Sequence, residues 1–271
     1  MAVNKAYSIM RYLGLSTDVK PTTGPIGSTF HENDTNLDSV FDGTNWWSTA
    51  MSQGYQLIKI VEVLTGTTAY NPTTGARALF VEAIGGGGAG GSAANAATNA
   101  GAAGGGGAGG YCASWITNLH AAPYTVAVGA GGTAGGAGAH DGGDGADTTF
   151  DSPAILTAKA GKGGKQQTVA VAPVIGGLGG AGGLASGGTG DLKTNGSPGG
   201  IGFMLAAAHA ISGKGGDSVF GGGAPGQTTT TAGVAGASYG AGGSGAAIIS
   251  GGADQNGGAG MSGLLKIWEF A

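Results

Sequence analysis

The aspartates between residues 141 and 151 have a spacing that comes close to a known metal-binding pattern. The segment GGDGADTTF (142–150) follows the calcium-binding repeat Gly-Gly-x-Gly-x-Asp-x-U-x, except that Thr149 takes the place of the large apolar residue. Ca²⁺ takes six to eight oxygen ligands, and Asp144 and Asp147 are the candidates here. Such sites are shared between stacked repeats, and the chain has one full copy of the repeat and a partial second copy at Asp217. The sequence therefore favours a polar turn whose aspartates cap backbone N–H groups, and calcium binding by the Asp141–Asp151 loop is the alternative.

No other set of residues predicts catalysis or a cofactor. The dinucleotide pattern Gly-x-Gly-x-x-Gly occurs at Gly86, Gly88 and Gly91, but a glycine-rich chain produces it by chance, and no helix pattern follows it. Cys112 has no partner motif and is predicted to be a small buried residue. The histidines share no metal-ligand spacing; they are His31, His120, His140 and His209. We expect a protein that is not an enzyme and binds no cofactor, and an envelope depolymerase is the enzyme alternative.

The composition excludes several protein classes. Of 271 residues, 64 are Gly, and the net charge is −4. Glycine costs about 1 kcal/mol per site inside a helix, so a helix-rich enzyme is not expected. There is no basic surplus for nucleic acid, and no apolar run approaches the roughly 20 residues of a membrane span. The N-terminus lacks the apolar core of a secretory signal, so synthesis in the cytoplasm, without membrane insertion, is expected.

Glycine content divides the chain near residue 84. The N-terminal part reads as β-structure, with a hairpin at Asp42-Gly43, a pair that suits a turn requiring positive φ. The segment 6–15 fits a short helix or a strand equally well. After residue 84, glycine tracts alternate with short apolar pieces. The predicted strands are 27–32, 55–64, 78–84, 123–129, 154–160, 168–175, 218–220 and 263–271.

The glycine tracts predict an ordered lattice. A glycine chain can wind as a threefold extended helix that rises about 3.1 Å per residue and has no internal hydrogen bonds. Its N–H and C=O groups must find partners outside the helix, and the absence of Cβ lets neighbouring helices approach closely. The alternatives are a flexible linker or a silk-like aggregate, but the tracts are uncharged, irregular and interrupted by strands. We expect a mainly β fold, with a small N-terminal β region followed by a polyglycine-II-like sandwich.

Several phrases resemble the Gly-rich domain of bacteriophage tail-fibre and receptor-binding proteins. They include FVEAIGGGGAGG (80–91), GGGGAGGYC (104–112), YTVAVGAGG (124–132) and GLLKIWEF (263–270). The segment PIGSTFHENDTNLDSVFDGTNWW (25–47) resembles a short module of phage tail and other virion proteins, with Asn33 as an extra residue.

The resemblance implies a virion tail protein without catalytic activity. Residues 1–77 would attach to other phage tail proteins or form a subunit interface, and residues 78–271 would bind a bacterial surface receptor, either an outer-membrane protein or a glycan. It also suggests a homotrimer. The rival expectation is a purely structural virion protein, either a tail-tip cap or a capsid decoration.

Bulky segments between the tracts are the predicted contact loops. Aromatic and large apolar side chains dominate binding energies, so 111–124, 203–212 and 225–239 are the main candidates, beside the small polar loop 92–103. For 111–124 the alternative is a core strand, and for 203–212 it is a short packed helix. The candidate receptor-binding residues are Tyr111, Trp115, His120, Tyr124, Phe203, Met204, Leu205, His209 and Tyr239.

Overall fold

The computed structural model describes residues 9–35, 37–48, 55–94, 97–151, 154–167 and 171–271. The chain forms two compact units, Met1–Gln56 and Leu57–Ala271. The fold is mainly β, as predicted, and Ala185–Gly187 form a 3₁₀ turn. The strands are Arg11–Gly14 (β1), Thr29–Glu32 (β2), Leu37–Phe41 (β3), Trp46–Ser48 (β4), Leu57–Val63 (β5), Gly66–Tyr70 (β6), Ala78–Ile84 (β7), Gly101–Ala102 (β8), Tyr111–Ile116 (β9), Tyr124–Val128 (β10), Thr148–Phe150 (β11), Leu156–Ala158 (β12), Val174–Ile175 (β13), Leu192–Thr194 (β14), Phe203–Ala206 (β15), His209–Ile211 (β16), Ala247–Ile248 (β17) and Leu264–Phe270 (β18).

The first unit is a four-stranded sheet in the order β1-β2-β3-β4. Gly43 has a φ of 101° in the turn between β3 and β4, which confirms the predicted Asp-Gly hairpin. Trp46 packs against three aromatic rings, those of Tyr12, Phe30 and Phe41. The undecided segment 6–15 contains a strand, because β1 pairs in parallel with β2.

Two sheets form the base of the second unit. One has the order β14-β9-β7-β18-β5 and the other the order β12-β11-β10-β6. They share an apolar core that includes Leu79, Val126, Phe150 and Ile267. The sequence places the change of architecture at residue 78, whereas the compact unit begins at Leu57, because β5 pairs with β18 and β6 pairs with β10. We call these two sheets the base.

The glycine tracts form extended rods whose hydrogen bonds recur every third residue, as the polyglycine II prediction requires. The N–H groups of residues 85, 88 and 91 donate to the tract 103–110, and those of 86, 89 and 92 donate to the tract 140–147. We number the rods in chain order as 85–92, 103–110, 129–135, 140–147, 159–166, 176–183, 195–202, 212–217, 222–227, 231–236, 240–246 and 255–263.

Rods 1 and 2 are the centre of the lattice. Rod 1 donates to rods 2, 4 and 12 and accepts from rods 3, 5 and 11. Rod 2 donates to rods 5, 7 and 11 and accepts from rods 1, 6 and 8. Every residue of 85–93 and 100–110 is buried. The interior is therefore made of peptide groups that bond to one another, and the extended tracts do not behave as a linker in this fold.

Two predicted strands differ from the structure. Residues 218–220 form a turn between rods 8 and 9, closed by the N–H of Ser218 donating to the carbonyl of Gly221 at 2.9 Å. The tracts on both sides belong to rods, and these residues reverse the direction of the chain between them. Of 168–175, residues 168–170 lie outside the described part, and only Val174–Ile175 is a strand among the rest.

Candidate binding surface

The rods carry the chain from the base to a second end of the unit. Rod 1 leaves β7 after Ile84, and rod 2 returns to β9 at Tyr111. Eight residues at about 3.1 Å each span about 25 Å. The loops that join the rods at the far end therefore lie about that distance from the base.

The described loops at the far end are joined to one another. β17 pairs with β8, and β13 pairs with β15. The N–H of Ser250 donates to the carbonyl of Ala207 at 2.8 Å, and Ile211 bridges to Thr228. We call the described segments of this end the tip; they are 97–102, 136–139, 171–175, 203–211, 228–231 and 247–254.

A hairpin of β15 and β16 is the most apolar part of the tip. Its side chains alternate: Met204 and Ala210 are 1% and 2% exposed, whereas Leu205 is 58% exposed. The buried pair packs with Ala100, Ala102 and Ala247. The expected contact segment 203–212 is therefore neither an irregular loop nor a short helix. Met204 is a core residue rather than a contact residue, because its side chain packs against the alanines at the end of the lattice.

The outward side chains of the tip form an apolar surface. Phe203 is 41% exposed and Ile211 is 43% exposed, on the same hairpin as Leu205. Ile175 on β13 is 57% exposed beside them. The sequence predicts a strand at Ile175 but not the exposure of its side chain. The feature that could have indicated this exposure is the position of a large aliphatic residue directly before a rod.

A cavity of about 190 Å³ opens beside the hairpin. Its lining includes Leu205 and His209 from the hairpin and Thr228 and Thr229 from the adjoining turn. Thr229 has a φ of 60°, which is strained for a β-branched residue and is the kind of strain that gathers at functional sites. Within the tip segments there is no lysine or arginine, and Asp254 is the only carboxylate.

The remaining candidate residues lie at the base. Trp115 is 40% exposed and packs with Phe80 and Phe270 on the outer face of the five-stranded sheet. Tyr111 donates its hydroxyl hydrogen to Glu82. The structure thus places Phe203, Leu205 and His209 at one end of the lattice and the predicted 111–124 segment at the other. Tyr239 also lies at the base end, because the next residue, Gly240, contacts Ile84 at the end of β7.

Two further candidate residues at the base, Tyr124 and His120, also have structural partners. Tyr124 is fully buried, stacked on Phe150 with ring centroids 5.1 Å apart, so it is not available as a contact residue; its strand position supports the core alternative for this segment. The ring of His120 pairs with the carboxylate of Asp151, and this hydrogen bond raises the pKa of the imidazole.

Asp144 and Asp147 of the Asp141–Asp151 loop, for which calcium binding was the alternative, are bound to lysines. Asp144 accepts a hydrogen bond from Lys162 Nζ at 2.9 Å, and Asp147 pairs with Lys159. A cation at Asp144 and Asp147 would have to displace both ammonium groups. Among the described residues, no group of three or more His, Cys, Asp and Glu side chains is arranged to hold a metal. The geometry agrees with the capping role that the sequence favoured.

Cys112 is a free, buried thiol, as predicted. Burial raises its pKa to about 12, so the thiolate is not formed at neutral pH. In the described residues no helix combines the length and the apolarity that crossing a bilayer needs.

A comparison with protein families matches residues 62–265 to a family described as a glycine-rich domain. The match covers most of the chain and begins and ends within the second unit. The chain therefore belongs to this glycine-rich domain family. No curated protein is significantly similar to it.

Proposed function

We propose that this member of the glycine-rich domain family is a bacteriophage tail protein, a tail-fibre or tail-tip adhesin, that binds the host surface through its tip. The observation that carries the proposal is the apolar tip surface of Phe203, Leu205 and Ile211 at the far end of a rigid lattice. Exposed apolar patches on soluble domains mark interaction sites. The resemblance of 25–47 and 80–91 to phage tail proteins supplies the biological setting.

The lattice explains why such a tip can be displayed. Its rods are held by main-chain hydrogen bonds, so the outward side chains of the tip are not needed for the core. A preorganised surface loses little conformational entropy when it binds. Several copies, as in a homotrimer, would turn weak single contacts into avidity.

The charge of the tip favours a protein receptor. A surface without lysine or arginine has no partner for the phosphates or carboxylates of an anionic glycan. Leu205 and the cavity beside it instead suit apolar side chains of an outer-membrane protein. In this proposal the first unit joins the protein to other tail proteins, the assembly belongs to the virion tail, and the protein performs no catalysis.

The test compares two leucines of equal exposure. Leu205 at the tip is 58% exposed and Leu192 at the base is 57% exposed. Full-length wild type, Leu205→Asp and Leu192→Asp would be added separately to host bacteria before infection with the phage. We expect wild type and Leu192→Asp to block adsorption and Leu205→Asp to fail. Equal blocking by all three folded proteins, or no blocking by wild type, would contradict the proposal.

A structural virion protein is the second candidate, and one observation favours it. The outer face of the five-stranded sheet exposes Ile58, Ile60 and Trp115, an apolar surface suited to a permanent neighbour. A tail-tip cap or capsid decoration would use this face and would not need the tip. In that case Leu192→Asp, whose substitution lies at the edge of the same sheet, would impair binding to purified tails or capsids, and Leu205→Asp would not.

A further inference from the structure

Rods 4 and 5 are joined by a ladder of three ion pairs, which we call the Asp–Lys ladder. Lys165 donates to Asp141 at 2.7 Å and Lys162 donates to Asp144 at 2.9 Å. Lys159 pairs with Asp147 in the same way. Along each rod the rungs are three residues apart, which is one turn of a threefold helix.

Each carboxylate also accepts a backbone N–H with its second oxygen. The donors are the residues that follow the lysines: Ala160 to Asp147 at 2.8 Å, Gly163 to Asp144 at 2.8 Å, and Gln166 to Asp141 at 2.9 Å. One aspartate therefore binds an ammonium group and a main-chain amide at once.

These amides point away from the lattice. Rod 5 has three sets of N–H groups. Residues 161 and 164 donate to carbonyls of rod 1, and residues 162 and 165 donate to carbonyls of rod 6. The third set, residues 160, 163 and 166, donates to no carbonyl of the described rods, and the aspartate oxygens are its acceptors instead.

A related arrangement occurs in rods 8 and 9, where the aspartate and the lysine lie on the same rod and the main-chain amide lies on the other. Asp217 accepts from Lys214 Nζ at 2.7 Å with one oxygen and from the N–H of Gly223 at 2.8 Å with the other. An aspartate that bonds both an ammonium group and a main-chain N–H therefore occurs at a second place in the lattice.

We propose that the Asp–Lys ladder closes the edge of rod 5, so that the extended chain of a second copy of this protein cannot add to the lattice there. An open row of main-chain donors is a template for another chain, as it is at the edge of a β-sheet. The aspartate oxygens accept hydrogen bonds from the N–H groups of that row, and the lysines neutralise the negative charges of the three aspartates. The pKa of Asp141 is lowered from its ordinary value, first by the hydrogen bond from Lys165.

Two triple variants test the proposal. Asp141→Ala, Asp144→Ala and Asp147→Ala together remove the acceptors. The matched variant, Asp→Asn at the same positions, loses the ion pairs but keeps an amide oxygen for each N–H. Amide exchange at 160, 163 and 166 and the mass in sedimentation, measured on full-length protein, are the readouts.

At low concentration, where the alanine variant is monomeric, we expect at least about tenfold faster exchange at these amides, because the hydrogen bonds that it loses are to charged acceptors. We also expect its mass to rise with concentration above that of wild type, and the asparagine variant to keep the wild-type mass. Wild-type mass or unchanged exchange in the alanine variant would overturn the proposal, as would association of the asparagine variant. If the triple variant does not fold, Asp144→Ala alone is tested by the exchange rate of the Gly163 amide and by its mass in sedimentation, and the same results support or overturn the proposal.

Discussion

A Cβ atom on Gly106 would lie 2.1 Å from the carbonyl oxygen of Gly88, a separation that no real side chain shows. The two residues belong to the two central rods, and both rods are buried along their length. The backbones approach this closely only because no side chain intervenes. The lattice therefore derives its order from peptide groups, and its glycines are as fixed by packing as the leucines of an ordinary core.

Replacing Gly106 with alanine tests this packing. The added methyl group would press on backbone atoms of rod 1, which cannot move without breaking hydrogen bonds to other rods. We expect the free energy of unfolding to fall by about 3 kcal/mol or more. Denaturant unfolding of the purified variant measures it.

Gly136→Ala is the matched control. Nothing lies within 4 Å of a Cβ at that position. Its unfolding free energy should differ from wild type by less than about 1 kcal/mol. Equal stability of the two alanine variants would show that the central rods are not as close as described.

The hairpin at the tip separates a core role from a surface role at neighbouring positions. Met204 is 1% exposed and Leu205 is 58% exposed. We expect Met204→Ala to lower the unfolding free energy by about 2–5 kcal/mol, because it leaves a cavity among buried alanines. Leu205→Ala should change it by less than about 0.5 kcal/mol. Thermal or denaturant unfolding distinguishes them, and a reversed order would mean that the hairpin has the opposite face inward.

Glu269 should make the base sensitive to acid. Its carboxylate is buried and accepts hydrogen bonds from the Tyr70 hydroxyl at 2.8 Å and from the N–H of Thr73 at 2.9 Å. Burial by itself raises the pKa of this carboxyl, but the hydrogen bonds from Thr73 and Tyr70 outweigh it, and the net pKa lies below the ordinary value of 4.5. Its contribution to stability is therefore full above the unfolded-state pKa and is lost as the pH falls through the folded-state pKa.

Glu269→Gln should cost about 1–3 kcal/mol at pH 7, because the hydrogen bonds from Tyr70 and Thr73 lose their charged acceptor. The difference from wild type should shrink as the pH falls below 4.5. Unfolding curves at several pH values measure it. Tyr70→Phe serves as the control, because it removes one hydrogen bond and leaves the carboxyl to titrate. A difference that does not depend on pH would contradict this role for Glu269.

The sequence predicts the lattice because its signal is local. Runs such as 84–91 and 103–111 leave main-chain groups with no partner except another chain, and the absence of Cβ permits that pairing. The strands before the first tract and after the last, 78–84 and 263–271, are equally predictable because most of their residues are apolar. The order in which twelve rods pack is not local, and it became visible only in the structure.

The candidate surface was predictable only in part. The apolar character of Phe203 and Leu205 marks the tip hairpin, but their alternation with Met204 depends on which face meets the lattice. Tyr124 is aromatic and flanked by a loop, the pattern of a contact residue, yet the second sheet buries it against Phe150. Burial of this kind depends on pairing between distant strands, here β10 with β6, which composition does not reveal.

Amide hydrogen exchange of the full-length protein tests the central claim most directly. If main-chain bonds between rods make the glycine tracts rigid, the amides of 85–92 and 103–110 should be among the slowest to exchange, comparable to those of β7 and β18 in the base sheet. Exchange of these glycine amides at the rate of an unstructured peptide, while β7 and β18 stay protected, would contradict the lattice and with it the rigid display of the tip.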